Sequence, residues 1–189
     1  GNNSLYSNKD GDRNMGLGNH SLHDVESGND NISLGYYSQY KTKAEKNISL
    51  GNYSLVNNTQ GNNNTAIGYY SMNDNISGNT NISVGHYSMA TSTIGDHNIA
   101  IGTNSLETNI LTTNAGNKNI SIGFENSKQS HVGNNLISIG AKAMYDNSGG
   151  LNNLAIGEKS MHNNISGESN IAIGENSGFE NIDGYHNIA

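Results

Sequence analysis

The sequence predicts an all-β chain wound as a parallel β-solenoid of about 10–11 coils, each of ~17 residues. Three observations predict it. First, a glycine preceded by a residue of the apolar strand recurs at Gly18, Gly35, Gly51, Gly68, Gly85, Gly102, Gly123, Gly140, Gly157 and Gly174, a step of about 17 residues. Second, the residues before these glycines alternate, as in Ile82-Ser83-Val84, with two apolar side chains on one face and a small one on the other. Third, a unit of roughly 17 residues is too short for a helix pair or a propeller blade, but it suffices for a strand and its return turns. Equal periods place each strand in parallel register on its copies at about 4.8 Å.

Composition agrees with a repeat rather than an ordinary core. Of 189 residues, 36 are Asn and 24 are Gly, whereas Leu, Ile, Val and Phe together also number only 36. That share, about 19%, lies at the lower limit for a globular interior. There is no Cys, which excludes a disulfide scaffold, thiol catalysis and cysteine zinc sites. A net charge of −7, with nine scattered Lys and Arg apart from Lys41, Lys43 and Lys46, argues against nucleic-acid binding. No apolar run is long enough for a membrane-spanning helix.

The elements of one unit follow in order. A leading glycine stands seven residues before the strand glycine at Gly11, Gly28, Gly61, Gly78, Gly95, Gly116, Gly133, Gly150, Gly167 and Gly184, with Ala44 as the exception. Both glycines suit corners that need φ > 0 or close backbone approach. Next comes an asparagine column, Asn31, Asn47, Asn64, Asn81, Asn98, Asn119, Asn153 and Asn170, interrupted by Leu136. An amide carries donors and an acceptor, so stacked copies can bond one another and the corner backbone; Leu136 should leave a local gap. The strand then places two apolar columns (Ile82 and Val84 in one unit) toward the expected coil interior. The small residue between them (Ser83) would face an approaching layer or chain. After the strand glycine, the serine column (Ser71, Ser88 and their copies) is expected to bond its own corner.

Tyr37, Tyr53, Tyr70 and Tyr87 follow the strand glycine by two residues in four successive coils, with Tyr36 and Tyr69 beside them. This aromatic row is the candidate face for a receptor or glycan. The longest unit carries an insertion, and Thr108, Asn109, Ile110 and Leu111 form a candidate binding loop, since solenoid insertions gather on one face. No catalytic, cofactor or metal residues are expected. The seven His lack ligand spacing, the acids form no repeated pair, and no Ser-His-Asp columns coincide.

The units Asn64-Thr65-Ala66-Ile67-Gly68-Tyr69-Tyr70-Ser71-Met72 and Asn98-Ile99-Ala100-Ile101-Gly102-Thr103-Asn104-Ser105-Leu106 resemble the head repeat of YadA-like trimeric autotransporter adhesins. They also resemble the repeats, of the same period, in phage and viral tail or surface fibres. The likeness spans residues 1–189, read as a single repeat domain excerpted from a longer fibrous protein. It implies a left-handed β-roll, a homotrimer, an extracellular place on a cell or virion surface, and attachment to a host receptor, glycan or matrix without enzymatic activity or membrane insertion of this segment. A rigid spacer or filament without a ligand is the alternative.

Overall fold

In the computed structural model, which describes residues 1–107, 116–128 and 133–189, the repeat folds as a parallel β-solenoid. Among the described residues, twelve short strands follow in chain order. They are β1 (Met15–Leu17), β2 (Asp24–Val25), β3 (Ile32–Leu34), β4 (Lys41–Thr42), β5 (Ile48–Leu50), β6 (Thr65–Ile67), β7 (Ile82–Val84), β8 (Ile99–Ile101), β9 (Ile120–Ile122), β10 (Ile137–Ile139), β11 (Leu154–Ile156) and β12 (Ile171–Ile173). Ten of them form one sheet in the order β1-β3-β5-β6-β7-β8-β9-β10-β11-β12, and β2 pairs with β4 in a small side sheet. Every pairing is parallel and strictly in register, so Ile82 lies on Ile99 and Ser83 on Ala100. The nine steps of the main sheet span on the order of 40 Å.

The strand faces are the reverse of the sequence expectation. Ser33, Ala66, Ser83, Ala100, Ala155 and Ala172 point into the coil and are buried, while Ile82 is 42% and Ile101 39% exposed on the outside. The reason is width. So short a coil closes tightly, and only small side chains fit between the strand and the opposite wall. The volume that remains is filled from the far corner by Leu22, Leu55, Met72, Met89, Met144 and Met161, all essentially inaccessible. These residues, two positions beyond the tyrosine column, supply the apolar interior that the strand residues were expected to form. Serines line the same space, and most reach across it to a strand carbonyl, while Ser54 also bonds its own corner, Oγ donating to the Gly51 carbonyl at 3.0 Å. Ser71 Oγ donates to the carbonyl of Ser83 at 3.1 Å, and Ser160 Oγ to that of Ala172 at 3.0 Å.

The corners are built from left-handed backbone. Among the described residues, 32 that are not glycine have φ between 46° and 62°. They fall at three positions of each coil, as at Thr80, Tyr87 and Met89, and Thr80 alone among them is β-branched. That bias is expected, because branching at Cβ is costly in this region. The two glycine columns have different tasks. The strand glycines adopt φ of 132–144°, beyond the reach of other residues, and a Cβ at Gly68 would also overlap the carbonyl oxygen of Gly85. The leading glycines, such as Gly61, have no such φ and answer only to close approach of the next coil. Ala44 enters that second column and not the first.

The asparagines clamp coil to coil. In each, Oδ1 accepts the backbone amide of the next column member at 2.8–2.9 Å, from Asn64 to Asn47, Asn81 to Asn64 and Asn98 to Asn81. The same side chains donate from Nδ2 to the leading-glycine carbonyl one coil on, Asn64 to Gly78 at 2.7 Å and Asn81 to Gly95 at 2.6 Å. Leu136 receives its share, since its amide donates to Asn119 Oδ1 at 3.0 Å, but it can pass nothing to Asn153. Its side chain instead joins Met144, Ala155 and Met161 in an apolar cluster. A second ladder was not anticipated from the sequence. Asn58, Asn75, Asn147 and Asn164 are buried three residues before the leading glycine, and each donates to that glycine's carbonyl. Asn75 also donates to Asn58 Oδ1 at 3.1 Å, and Asn164 to Asn147 Oδ1 at 2.8 Å.

Two stability outcomes follow. Gly68→Ala should cost about 2–4 kcal/mol in urea unfolding, whereas Thr80→Asn, at a position open to asparagine, should be neutral or slightly stabilising. Asn81→Ala leaves the Asn98 amide and the Gly95 carbonyl without partners and should cost about 2–4 kcal/mol by the same measurement.

Candidate functional site

The aromatic row stands on the corner that follows each strand glycine. Successive rings lie nearly parallel along the solenoid axis. Their centroids are 5.9 Å apart from Tyr37 to Tyr53, 5.0 Å from Tyr53 to Tyr70 and 5.2 Å from Tyr70 to Tyr87. His20 extends the row by one coil, 4.7 Å from Tyr37. The order is a consequence of register: each ring occupies the same left-handed corner, one coil spacing from its copy. The row stops at Asn104, the next member of the column, and the column continues as Glu125, Lys142 and Lys159.

Tyr36 and Tyr69, one residue earlier, lie edge-on to this row. Tyr36 meets Tyr37 at 4.6 Å and 63°, and Tyr69 meets Tyr70 at 4.6 Å and 66°. Both are exposed. The stacked rings therefore cover one another's faces and present their edges, while Tyr36 and Tyr69 hold the accessible ring area of the patch. His86, stacked on Tyr69 at 5.0 Å, was not singled out in the sequence and belongs to the same patch. Its signal was its position, one residue before Tyr87 as Tyr36 is before Tyr37.

Two further aromatic rows occupy the column three residues beyond the tyrosine column. Tyr6, His23 and Tyr40 stack at 5.2 and 4.9 Å, and Tyr145, His162 and Phe179 at 5.1 and 5.0 Å. Tyr40 also stacks on Tyr37 at 4.9 Å, joining the first of these rows to the main one. The mixed identities Tyr, His and Phe hid this column from a search for identical residues.

Charge is sparse around the patch and organised elsewhere. Lys128 sits between Glu125 at 3.2 Å and Glu107 at 3.3 Å, and Lys142 reaches Glu125 at 3.4 Å. Burial pushes the Glu125 carboxyl up, but the bonds and charges of Lys128 and Lys142 outweigh it and hold the group below the ordinary glutamate value. The candidate loop Thr108, Asn109, Ile110 and Leu111 lies outside the described residues. Among the described residues no group of three His, Cys, Asp or Glu could hold a metal ion, and no helix is long and apolar enough to cross a membrane.

The other exposed feature is the outer face of the main sheet. It is a ribbon two columns wide, running through Ile32 and Leu34, Ile82 and Val84, Ile101, Ile137 and Ile139 to Ile171 and Ile173. Thr65 is the one polar residue among its twenty positions. Tyr36, Tyr69 and Phe124, two residues past the second column, are exposed as well.

Desolvation in the row, with neighbouring tyrosines, pushes the Tyr53 and Tyr70 hydroxyls above the ordinary tyrosine value. A raised acid favours the fold while protonated in both states, so its contribution is complete below pH about 10. It is lost as pH rises through the raised value. Burial raises Tyr40 as well, so spectrophotometric titration should show a late-ionising tyrosine class that Tyr53→Phe/Tyr70→Phe diminishes and that further replacement of Tyr40 by Phe removes.

Comparison of the chain with protein-family models, with curated proteins and with solved structures gives no match.

Proposed function

We propose that the chain is a non-enzymatic segment of a trimeric surface fibre that attaches to a host receptor, glycan or matrix. The observation that carries this reading is the apolar ribbon. Twenty positions along ten strands leave on the order of 1,000 Å² of mostly apolar surface open, more than the few hundred Å² usual for a monomer's largest patch. It is comparable to the roughly 800 Å² per partner of a stable interface. Its period argues for the occupant. The columns repeat at about 4.8 Å, and a second copy of this chain has the same spacing over the same length, so Ile can meet Ile at every step. A globular partner has no such period.

Three copies about an axis and left-handed winding are what the resemblance to YadA-like head repeats and viral fibre repeats adds. In that arrangement the ribbons face inward and the variable corners face outward, on an extracellular cell or virion surface. The patch of Tyr36, Tyr37, Tyr53, Tyr69, Tyr70 and Tyr87 then offers rings and hydroxyls to a receptor or glycan. One observation favours a rigid spacer instead. The faces of Tyr53 and Tyr70 are covered by each other, as a stiffening stack requires.

Light scattering on residues 1–189 is expected to give about three times 20.1 kDa. Ile82→Glu/Ile101→Glu should yield a folded monomer with unchanged far-UV circular dichroism, since both side chains lie outside the coil. A monomeric wild type would overturn the assembly. Binding to host cells and glycan arrays, reduced at least tenfold by Tyr36→Ala/Tyr69→Ala, is the expected mark of attachment; a spacer binds nothing.

A further inference from the structure

The unit between Gly35 and Gly51 is one residue shorter than its neighbours, and three columns change within it. Gln39 stands where the flanking coils have Leu22 and Leu55, Thr42 where the next has Asn58, and Ala44 where they have Gly28 and Gly61. The same stretch carries the side sheet, with Lys41 on Asp24 and Thr42 on Val25. Beside it opens a cleft of about 310 Å³, whose walls include Lys9, Lys41, Lys43, Asp24, Glu26 and Thr59. Three of the nine cations of an acidic chain converge there.

The two carboxylates are already engaged. Asp24 Oδ1 lies 2.7 Å from His23 Nδ1, and Glu26 Oε2 lies 2.9 Å from Lys43 Nζ. Among the described residues neither Lys9 nor Lys41 is in an ion pair. Glu26 stands between Lys9 and Lys43 in one column, which relieves the repulsion that stacked lysines would bring. An excess of ammonium over carboxylate remains, with a hydroxyl at Thr59 and the Tyr6, His23, Tyr40 row one residue before the side sheet. Tyr6 is 70% exposed.

We propose that this cleft binds an anionic saccharide, its sulfate or carboxylate groups taken by Lys9 and Lys41 and a sugar hydroxyl by Thr59. The inference rests on the attachment reading and names a ligand class and a second site for it. The volume suits one or two sugar rings at the lower end of small-ligand sites. Lys9 and Lys41 are two coils apart, about 10 Å along the axis, which is close to the rise of one disaccharide in an extended polysaccharide. Successive anionic groups of one chain thus meet successive ammonium groups. A nucleic acid fits less well, since its closely spaced phosphates require a longer basic track than three lysines in a chain of charge −7.

The test is calorimetric titration of residues 1–189 with a heparin-derived hexasaccharide and, separately, a hyaluronan hexasaccharide, which carries carboxylates only. The expected result is salt-sensitive binding that Lys9→Ala/Lys41→Ala weakens at least tenfold, with unchanged circular dichroism. Glu26→Gln, which frees Lys43, should tighten binding severalfold; a purely structural charge ladder would give no gain. Binding of heparin fragments alone assigns the site to sulfate esters, and binding of both assigns it to sugar anions generally. No binding of either, or binding indifferent to Lys9→Ala/Lys41→Ala, overturns the proposal. Capture on host cells is read with the same samples. A chain that adheres to cells without either oligosaccharide binding loses the cleft and keeps the attachment function; the converse loses host-cell attachment and keeps the cleft.

Discussion

Each residue of this chain must tolerate a copy of its own column about one strand spacing away, above and below. Parallel in-register pairing through nine successive steps imposes that condition on every column. Asparagine satisfies it with a gain in hydrogen bonds, because one amide can accept from the coil above and donate to it as well. Aromatic rings satisfy it by stacking, glycine by lacking the side chain that would collide, and isoleucine by simple contact. Like charges satisfy it least well, and they stack in successive coils at Lys142 and Lys159 and at Glu158 and Glu175. Elsewhere charge alternates, as in Lys9, Glu26 and Lys43, or is paired across columns, as around Lys128.

The same condition explains an interior that is more polar than apolar. Among the described residues, buried polar residues outnumber buried apolar ones by about two to one. The walls of so short a coil stand too close for branched side chains on the strand, so serine and alanine line it and hydroxyls reach across to backbone carbonyls. Buried amides and hydroxyls are stabilising only when paired, and the two asparagine ladders and the serine network pair them. Hydrophobic burial inside the coil comes mainly from the leucine and methionine column, with help from alanines, Val25 and Leu136. The largest apolar side chains of the strands are left outside. The coil is thus closed by hydrogen bonding, and much of the hydrophobic surface of its strands is left exposed.

Departures from the repeat are informative because regularity is so strongly enforced. Leu136 exchanges a link of the first ladder for a place in an apolar cluster, so the local cost is offset by packing with Met144 and Met161. The short unit between Gly35 and Gly51 is different in kind. Gln39, Thr42 and Ala44 change together, the backbone gains a side sheet, and lysines gather beside a cleft. Changes that cluster in one coil and yield a concave charged surface are what a binding site on a repetitive scaffold requires.

By itself the sequence determined the period, the all-β class, the parallel register, the corner glycines and the first asparagine ladder. All of these are properties of a column read along the chain, and a fixed spacing reveals them. Ile82 and Ser83 could be assigned to opposite faces on the same ground. Which of those faces is inside could not be read, because alternation fixes only that neighbouring side chains diverge; the choice depends on the distance to the opposite wall, which the closed coil decides. The second ladder through Asn58, Asn75, Asn147 and Asn164 was hidden for a related reason, since other coils place Val25, Thr42 or Ser92 at that position. Likewise the stacking of Tyr6 on His23 and Tyr40, and the meeting of Lys9 with Lys41 and Lys43, arise from coils that lie side by side only after winding. Tertiary structure decided these points, because side-chain size against wall separation, and neighbours one coil away, exist only once the coil is closed.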